Sequence, residues 1–191
     1  MRTKILDAAR ELFLTVGFEK TSIRSIAELI EYSPSTIYLY FKDKDELLFA
    51  LHTVAFEGLL QHFLQVADIP KPMDKLVKLG EEYLEFAFEN PELYELMFLM
   101  LAPIDSLSCG QEVWHDGRLL IGVLEGIIQE CQKEGHFAGM DEKEVSMLMW
   151  SQVHGLATIH LRRRTFMFEE KDRLPRLQGA MRLFIETIKT M

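Results

Sequence analysis

The stretch Ser33-Pro34-Ser35-Thr36-Ile37-Tyr38-Leu39-Tyr40-Phe41, with Lys44 close behind it, decides how the rest of the chain is read. Serine is a good helix N-cap, and proline at the first helical position loses nothing, because an N–H there would have no intrahelical partner. The result is a very short helix with a defined start. Ile37 and Phe41 lie four apart and share an apolar face. Ser35, Thr36, Tyr38 and Tyr40 are left as hydroxyls around the other sides. Hydroxyls beside a lysine suit phosphate oxygens and base edges. These nine residues alone would serve equally well as an ordinary capped amphipathic helix.

The preceding residues separate the two readings. Ile5, Ala9, Leu12, Phe13 and Val16 recur at helical spacing, and Gly17 follows as a C-terminal stop. Thr21-Ser22 offers a second N-cap, and Ile23, Ile26, Ala27 and Ile30 form the next apolar stripe. After a break at Glu31-Tyr32 comes the short helix. Three short helices with a tight turn between the second and third make a helix-turn-helix unit. Residues 5–51, ILDAARELFLTVGFEKTSIRSIAELIEYSPSTIYLYFKDKDELLFAL, resemble the DNA-binding domain of the TetR family of bacterial transcriptional regulators. Phe13, Gly17-Phe18, Thr21-Ser22, Ile26-Ala27, Thr36-Ile37-Tyr38, Phe41, Lys44 and Glu46-Leu47 carry the resemblance. It departs at the turn, where the family has Ala-Gly and this chain has Ile30-Glu31, and at Tyr32, where a small aliphatic is usual. Glycine relieves a strained backbone there, so Glu31 must either adopt that conformation or close a different turn.

The resemblance implies an all-α protein with a helix-turn-helix DNA-binding domain over residues 1–45 and a helical effector-binding and dimerisation domain over residues 46–191. It implies a homodimer on a pseudo-palindromic double-stranded operator, paired through the last two long helices and working in the cytoplasm. The short helix would enter the major groove with Ser35, Thr36 and Tyr38 nearest base edges or the adjoining backbone. Ser22, Tyr40 and Lys44 would meet phosphates and Arg24 could serve either use, with Thr21 and Ser33 completing the set of candidate DNA-binding residues.

Composition bounds the rest. The formal net charge is −9 over 191 residues, which argues against a general nucleic-acid coat. Residues 1–50 carry seven Lys/Arg against eight Asp/Glu, and residues 51–191 carry fourteen against twenty-two, so the acidic excess lies in the C-terminal part. Arg2, Lys4, Arg24, Lys42 and Lys44 could still gather on one face, and local phosphate contacts rather than the global sum govern counterion release. The longest apolar run, around Leu96 to Leu101, is too short to span a bilayer, and charges at Asp7, Arg10 and Glu11 interrupt any signal-peptide pattern. Cys109 and Cys131 form no metal or redox spacing and read as packing residues of a reducing compartment.

Further along, Asp43 with Glu46 three residues on resembles a capping box that opens a helix running to about Val66. Ile69-Pro70-Lys71-Pro72 breaks the chain. Leu76, Leu79, Tyr83, Phe86 and Ala87 then face inward, while Lys75, Lys78, Glu82, Glu85 and Glu89 read as a solvated face. Asn90-Pro91 starts a helix to about Leu101 that is apolar almost all round and therefore buried. The Ala102–Gly110 segment reads as a loop. Two long helices, 111–134 and 141–164, and a final one from about Pro175 to Thr190 complete the chain. Trp150, His154 and Gly155 form a Trp-x-x-x-His-Gly arrangement that resembles one subgroup of the family. Arg162-Arg163-Arg164 read as cations favoured at a helix C-terminus.

The surplus of soft residues motivates a small hydrophobic effector, with Met97, Phe98, Met100, Trp114, Met147, Trp150 and His154 as candidate pocket residues. The same residues would also fill an ordinary core. His115 and His154 read as core histidines, the six histidines lack metal-ligand spacing, and no cofactor or metal is expected. The chain has no Gly-rich phosphate loop, no nucleophile elbow and no distinct carboxylate pair, so no catalytic residue is named. Two other classes stay open: an effector-independent dimeric DNA-binding protein, and a helical-bundle enzyme or carrier with a non-functional helix-turn-helix.

Overall fold

The computed structural model describes residues 1–100 and 110–190, and the side chains of all of these except 110–114. Among them the chain is all-α: α1 Arg2–Thr15, α2 Ile23–Leu29, α3 Pro34–Tyr38, α4 Lys44–Leu64, α5 Pro72–Glu89, α6 Pro91–Tyr94, α7 Gly110–Lys133, α8 Glu142–Leu161 and α9 Glu170–Ile188. The segment expected to be a loop lies outside the described residues except for Gly110, which opens α7.

Two compact units form, residues 1–58 with 90–117, and residues 59–89 with 118–191. In the first, Ile5, Ala9, Phe13, Phe18, Ile26, Ala27, Ile30, Ile37 and Phe41 share one core with Leu47, Leu48 and Leu51 of α4. This compact unit therefore runs past residue 45 into α4, because the apolar face of the early α4 turns is what closes the three-helix core. Val16, expected on the inner stripe, is 46% exposed. Val16 is the C-cap, one residue past the end of α1, and Gly17, at φ +95°, turns the chain away from the helix, its N–H donating to the Leu12 carbonyl at 3.2 Å.

Local chemistry accounts for the starts. Ser22 caps α2 reciprocally with Ser25: the Ser25 N–H donates to Ser22 Oγ, and the Ser22 N–H donates to Ser25 Oγ, both at 3.0 Å. Before α4, Asp43 Oδ1 accepts from the Glu46 N–H at 2.9 Å. The Glu46 carboxylate reaches back to the Lys42 N–H rather than to that of Asp43, so the box closes one residue wider than expected. Glu31 does adopt the glycine-like conformation, at φ +62°, and the Tyr32 N–H closes the turn onto the Ala27 carbonyl at 2.9 Å. A left-handed residue with a Cβ costs about 1 kcal/mol. Glu31→Gly is therefore expected to raise stability by up to about 1 kcal/mol, offset in part by glycine's greater unfolded-state entropy. Urea unfolding checks this, and a fall in midpoint would contradict it.

The helix expected from Asn90 to Leu101 is only partly α. After Tyr94 the backbone widens over Glu95–Leu99, and the Met100 N–H reaches the Glu95 carbonyl, five residues back, at 2.7 Å. Apolar residues all round the segment carry no periodic signal that would distinguish the two forms. Leu96 and Met97 are buried, as the composition required. α9 starts at Glu170 rather than Pro175, with Glu170 and Asp172 in its first turn, where the helix dipole favours them. Pro175 sits inside the helix and leaves one backbone carbonyl without its usual donor. α4 is also long and apolar enough to cross a membrane by length and composition, contrary to the reading of the apolar runs; half of its most apolar window is buried within the protein.

In the second unit α5 buries Leu76, Leu79, Tyr83, Phe86 and Ala87 as expected. Its charged face is not wholly solvated. Glu82 is 2% exposed and takes Lys78 Nζ at 2.7 Å and His62 Nδ1 at 2.8 Å. Lys75 is largely covered and pairs with Glu130 at 2.9 Å. Burial alone would push the Glu82 carboxyl up, but the hydrogen bonds from Lys78 and His62 outweigh it and hold the group below its ordinary value. Cys131 is buried, and that burial pushes its thiol up to about 11, which fits the packing role; Cys109 lies outside the described residues. His115 is exposed rather than interior.

Candidate functional site

α3 presents its polar side because its apolar side is fully committed. Ile37 is 0% and Phe41 2% exposed, so Ser35, Tyr38, Leu39 and Tyr40 point to solvent and Thr36 is half-covered. Tyr38 is 57% exposed. Ser33 occupies the N-cap position without bonding the helix amides through its side chain. Its hydroxyl lies 3.1 Å from the Thr36 hydroxyl instead. Ser22 and Arg24 are exposed at the start of α2, with Arg24 Nε donating to Glu28 at 2.9 Å.

Two candidates take on internal work. Thr21 is 4% exposed, and its hydroxyl donates to the Gly17 carbonyl at 2.8 Å and approaches that of Leu12 at 3.3 Å. It is withdrawn from the DNA-contacting set, because the turn after α1 consumes its only proton. Lys44 Nζ donates to the Phe18 carbonyl at 3.0 Å and reaches the Glu19 carbonyl at 3.5 Å, with the ammonium 4.3 Å from the Phe18 ring centroid. The ammonium thus fastens the same turn, leaving one of its three hydrogens for another acceptor.

Other cations of this unit act similarly. Lys4 Nζ donates to the Ile30 carbonyl at 3.3 Å and stands 5.0 Å from the centre of the Tyr32 ring, and Arg2 lies 5.2 Å over Phe41. Tyr32 thus has a use that a small aliphatic would not. Pairs such as Lys4 with Ile30 are 26 residues apart, and no sequence spacing announces them.

The candidate pocket residues are divided between the two units. Met97, Phe98 and Met100 belong to the first unit, and Trp150 and His154 to the second. Met147 is 58% exposed and faces out of α8, and the Trp114 side chain lies outside the described residues. Within the second unit a small apolar recess of about 40 Å³ lies against Gly80, Tyr83, Met149, Trp150, Val153 and Met181, among others. A Cβ on Gly80 would come within 3.2 Å of Met181 Cε, so the glycine permits the close approach that shapes the recess.

Trp150 Nε1 donates to the Tyr83 hydroxyl oxygen at 3.3 Å, and that hydroxyl lies 3.0 Å from His154 Nδ1. The tautomer of His154 sets which of the two donates, and burial lowers the pKa of the imidazole and favours its neutral form. Sequence reading paired Trp150 with His154 but missed Tyr83, which sits on an apolar stripe that gives no hint of its hydroxyl's partners. It also missed His52, buried in α4.

Residues 5–51 match the family described as bacterial regulatory proteins, tetR family, and residues 76–180 match the tetracyclin repressor-like C-terminal domain. An HTH-type transcriptional repressor of Mycobacterium tuberculosis is 42% identical over 50 residues, 26% of this chain and 27% of that protein, so the chain spans about a quarter of that relative's length. Two solved structures share the fold over nearly the whole chain. The transcriptional regulator FadR from Bacillus subtilis, in complex with stearoyl-CoA, superposes with a TM-score of 0.78 at 18% identity, covering 97% of this chain and 98% of that one. The fatty acid degradation regulator FadR from Bacillus halodurans does so with a TM-score of 0.75 at 16% identity, covering 96% and 94%. With both its N-terminal helix-turn-helix and more than half of its length matched, the chain belongs to the TetR family of bacterial regulatory proteins.

Proposed function

We propose that this protein is a homodimeric, ligand-responsive transcriptional repressor that binds a pseudo-palindromic operator and leaves it when a small hydrophobic effector binds. The observation that carries the reading is the outward hydroxyl face of α3, held in place by the buried Ile37 and Phe41. Ser35, Thr36 and Tyr38 read base edges or the adjoining backbone, Ser22, Ser33 and Tyr40 meet phosphates, and Arg24 serves either use. Lys44 braces the domain and offers its remaining hydrogen to a phosphate. The two copies pair through α8 and α9, whose exposed Met147, Leu148, Ile159 and Leu183 suit burial against a second copy. Half-sites then lie about one helical turn apart or a multiple of it.

α4 carries the signal, since its first turns close the helix-turn-helix core and its last turns belong to the second unit. The fold shared with a regulator solved in complex with stearoyl-CoA favours an effector with a long alkyl chain. The effector shifts operator affinity only by its differential preference for the two dimer shapes.

Footprinting on DNA upstream of its own gene, repeated with long-chain acyl thioesters, tests the reading. A protected inverted repeat that is lost on adding the thioester is expected. A footprint unmoved by acyl compounds would favour the effector-independent regulator, and no footprint would favour the helical-bundle carrier.

A further inference from the structure

His52 lies about two turns into α4 and is 2% exposed. Among the described residues neither Nδ1 nor Nε2 has a hydrogen-bond partner, and Thr53 Oγ1, on the next side chain, is likewise buried and unpartnered. Buried polar groups are nearly always satisfied, so an imidazole with both nitrogens unmet calls for a physical reason. A run of aromatic rings leads away from it. The His52 ring is 6.3 Å from Phe56, Phe56 meets Phe98 edge-on at 6.1 Å, and Phe98 lies 5.0 Å from Tyr94. Phe98 is carried on the widened turn Glu95–Leu99, a backbone form frequent at functional sites. Burial holds the imidazole neutral, its pKa pushed down to about 4. A neutral ring presents one N–H donor and one nitrogen acceptor, and in these surroundings a full negative charge would be poorly solvated.

We propose that His52 is the polar anchor of the effector site, between α4 and residues 91–99, taking an apolar molecule through one uncharged group that both donates and accepts a hydrogen bond, such as a hydroxyl. This rests on the reading that the protein binds an effector, and it specifies the chemistry of that effector's head. An aromatic wall holds the apolar body while the imidazole selects the polar end.

Titration of the full-length protein with dodecan-1-ol and with laurate at pH 8, for wild type, His52→Phe and His52→Gln, tests the assignment. The alcohol is expected to bind wild type at least ten-fold more tightly than H52F, with partial recovery in H52Q, whose amide again donates and accepts. Laurate is expected to bind more weakly than the alcohol. Unliganded H52F is expected to melt above wild type, since the unmet nitrogens are gone. A lower melting temperature would mean that the nitrogens are satisfied within the fold, and would overturn the anchor. Equal binding of the alcohol to wild type and H52F, or tighter binding of laurate, would overturn it too. If dodecanol fails to bind wild type while acyl thioesters still release the operator, the anchor falls and the effector reading stands; if both fail, both fall.

Discussion

Between pH 7.5 and pH 4 the wild-type protein is expected to lose about 3 kcal/mol of stability through His52 alone, from a ring pKa of 6.5 in the unfolded chain and about 4 in the folded one. The cause is burial without compensation. Between those two values the unfolded chain binds a proton that the folded chain refuses, so acid draws the equilibrium toward unfolding. The stability is fully present above pH 6.5 and is progressively lost as pH falls toward 4. His154, also lowered by burial, acts in the same direction below pH 6.5. Glu82 adds its share lower still, because its paired carboxylate must be protonated as pH falls through its depressed folded value. Urea unfolding at pH 7.5, 6, 5 and 4, compared between wild type and H52F, isolates the His52 part. The wild-type midpoint should fall more steeply below pH 6.5, and parallel curves for the two proteins would refute the assignment.

Ile37→Ala and Tyr38→Ala, neighbours in the sequence, should fail in opposite ways. Ile37 is 0% exposed, and removing its side chain leaves a cavity between α3 and the helices beneath it. Such truncations cost about 2–5 kcal/mol, so the helix-turn-helix unit should loosen and operator binding vanish with it. Tyr38 is 57% exposed and touches little, so its truncation should move stability by no more than about 0.5 kcal/mol. Operator affinity should nevertheless fall by about ten-fold, the size of one lost specific contact. Thermal melts beside mobility-shift titrations separate the two. Unchanged affinity in Tyr38→Ala would move the reading face off α3.

The helix-turn-helix was legible because its signals are local. The Gly17 stop, the Ser22 cap, proline at the start of α3 and the Ile37–Phe41 spacing all act within a few residues, and each stands where its backbone preference requires. Composition does not resolve the turn at Glu31, since glutamate reaches the left-handed region only when its neighbours impose it. The charged face of α5 hides its buried carboxylate for a different reason. His62 stands 20 residues before Glu82, and nothing along α5 marks that carboxylate as the one that is covered. Thr21 carries the same lesson, its hydroxyl taken by a carbonyl that comes into range only once the turn closes.

By itself the sequence determined the all-α class, the order of the helices and the outward face of α3, because capping, breaking and helical periodicity depend on neighbours three or four residues away. Only the tertiary structure decided which polar side chains are consumed inside the units. It tied Lys44 to Phe18, Trp150 and His154 to Tyr83, and Glu82 to His62, and left both His52 nitrogens without a hydrogen-bond partner among the described residues. Such pairings depend on which helix faces meet across the fold, and the solvation or desolvation of a charge follows from that meeting rather than from its place in the chain.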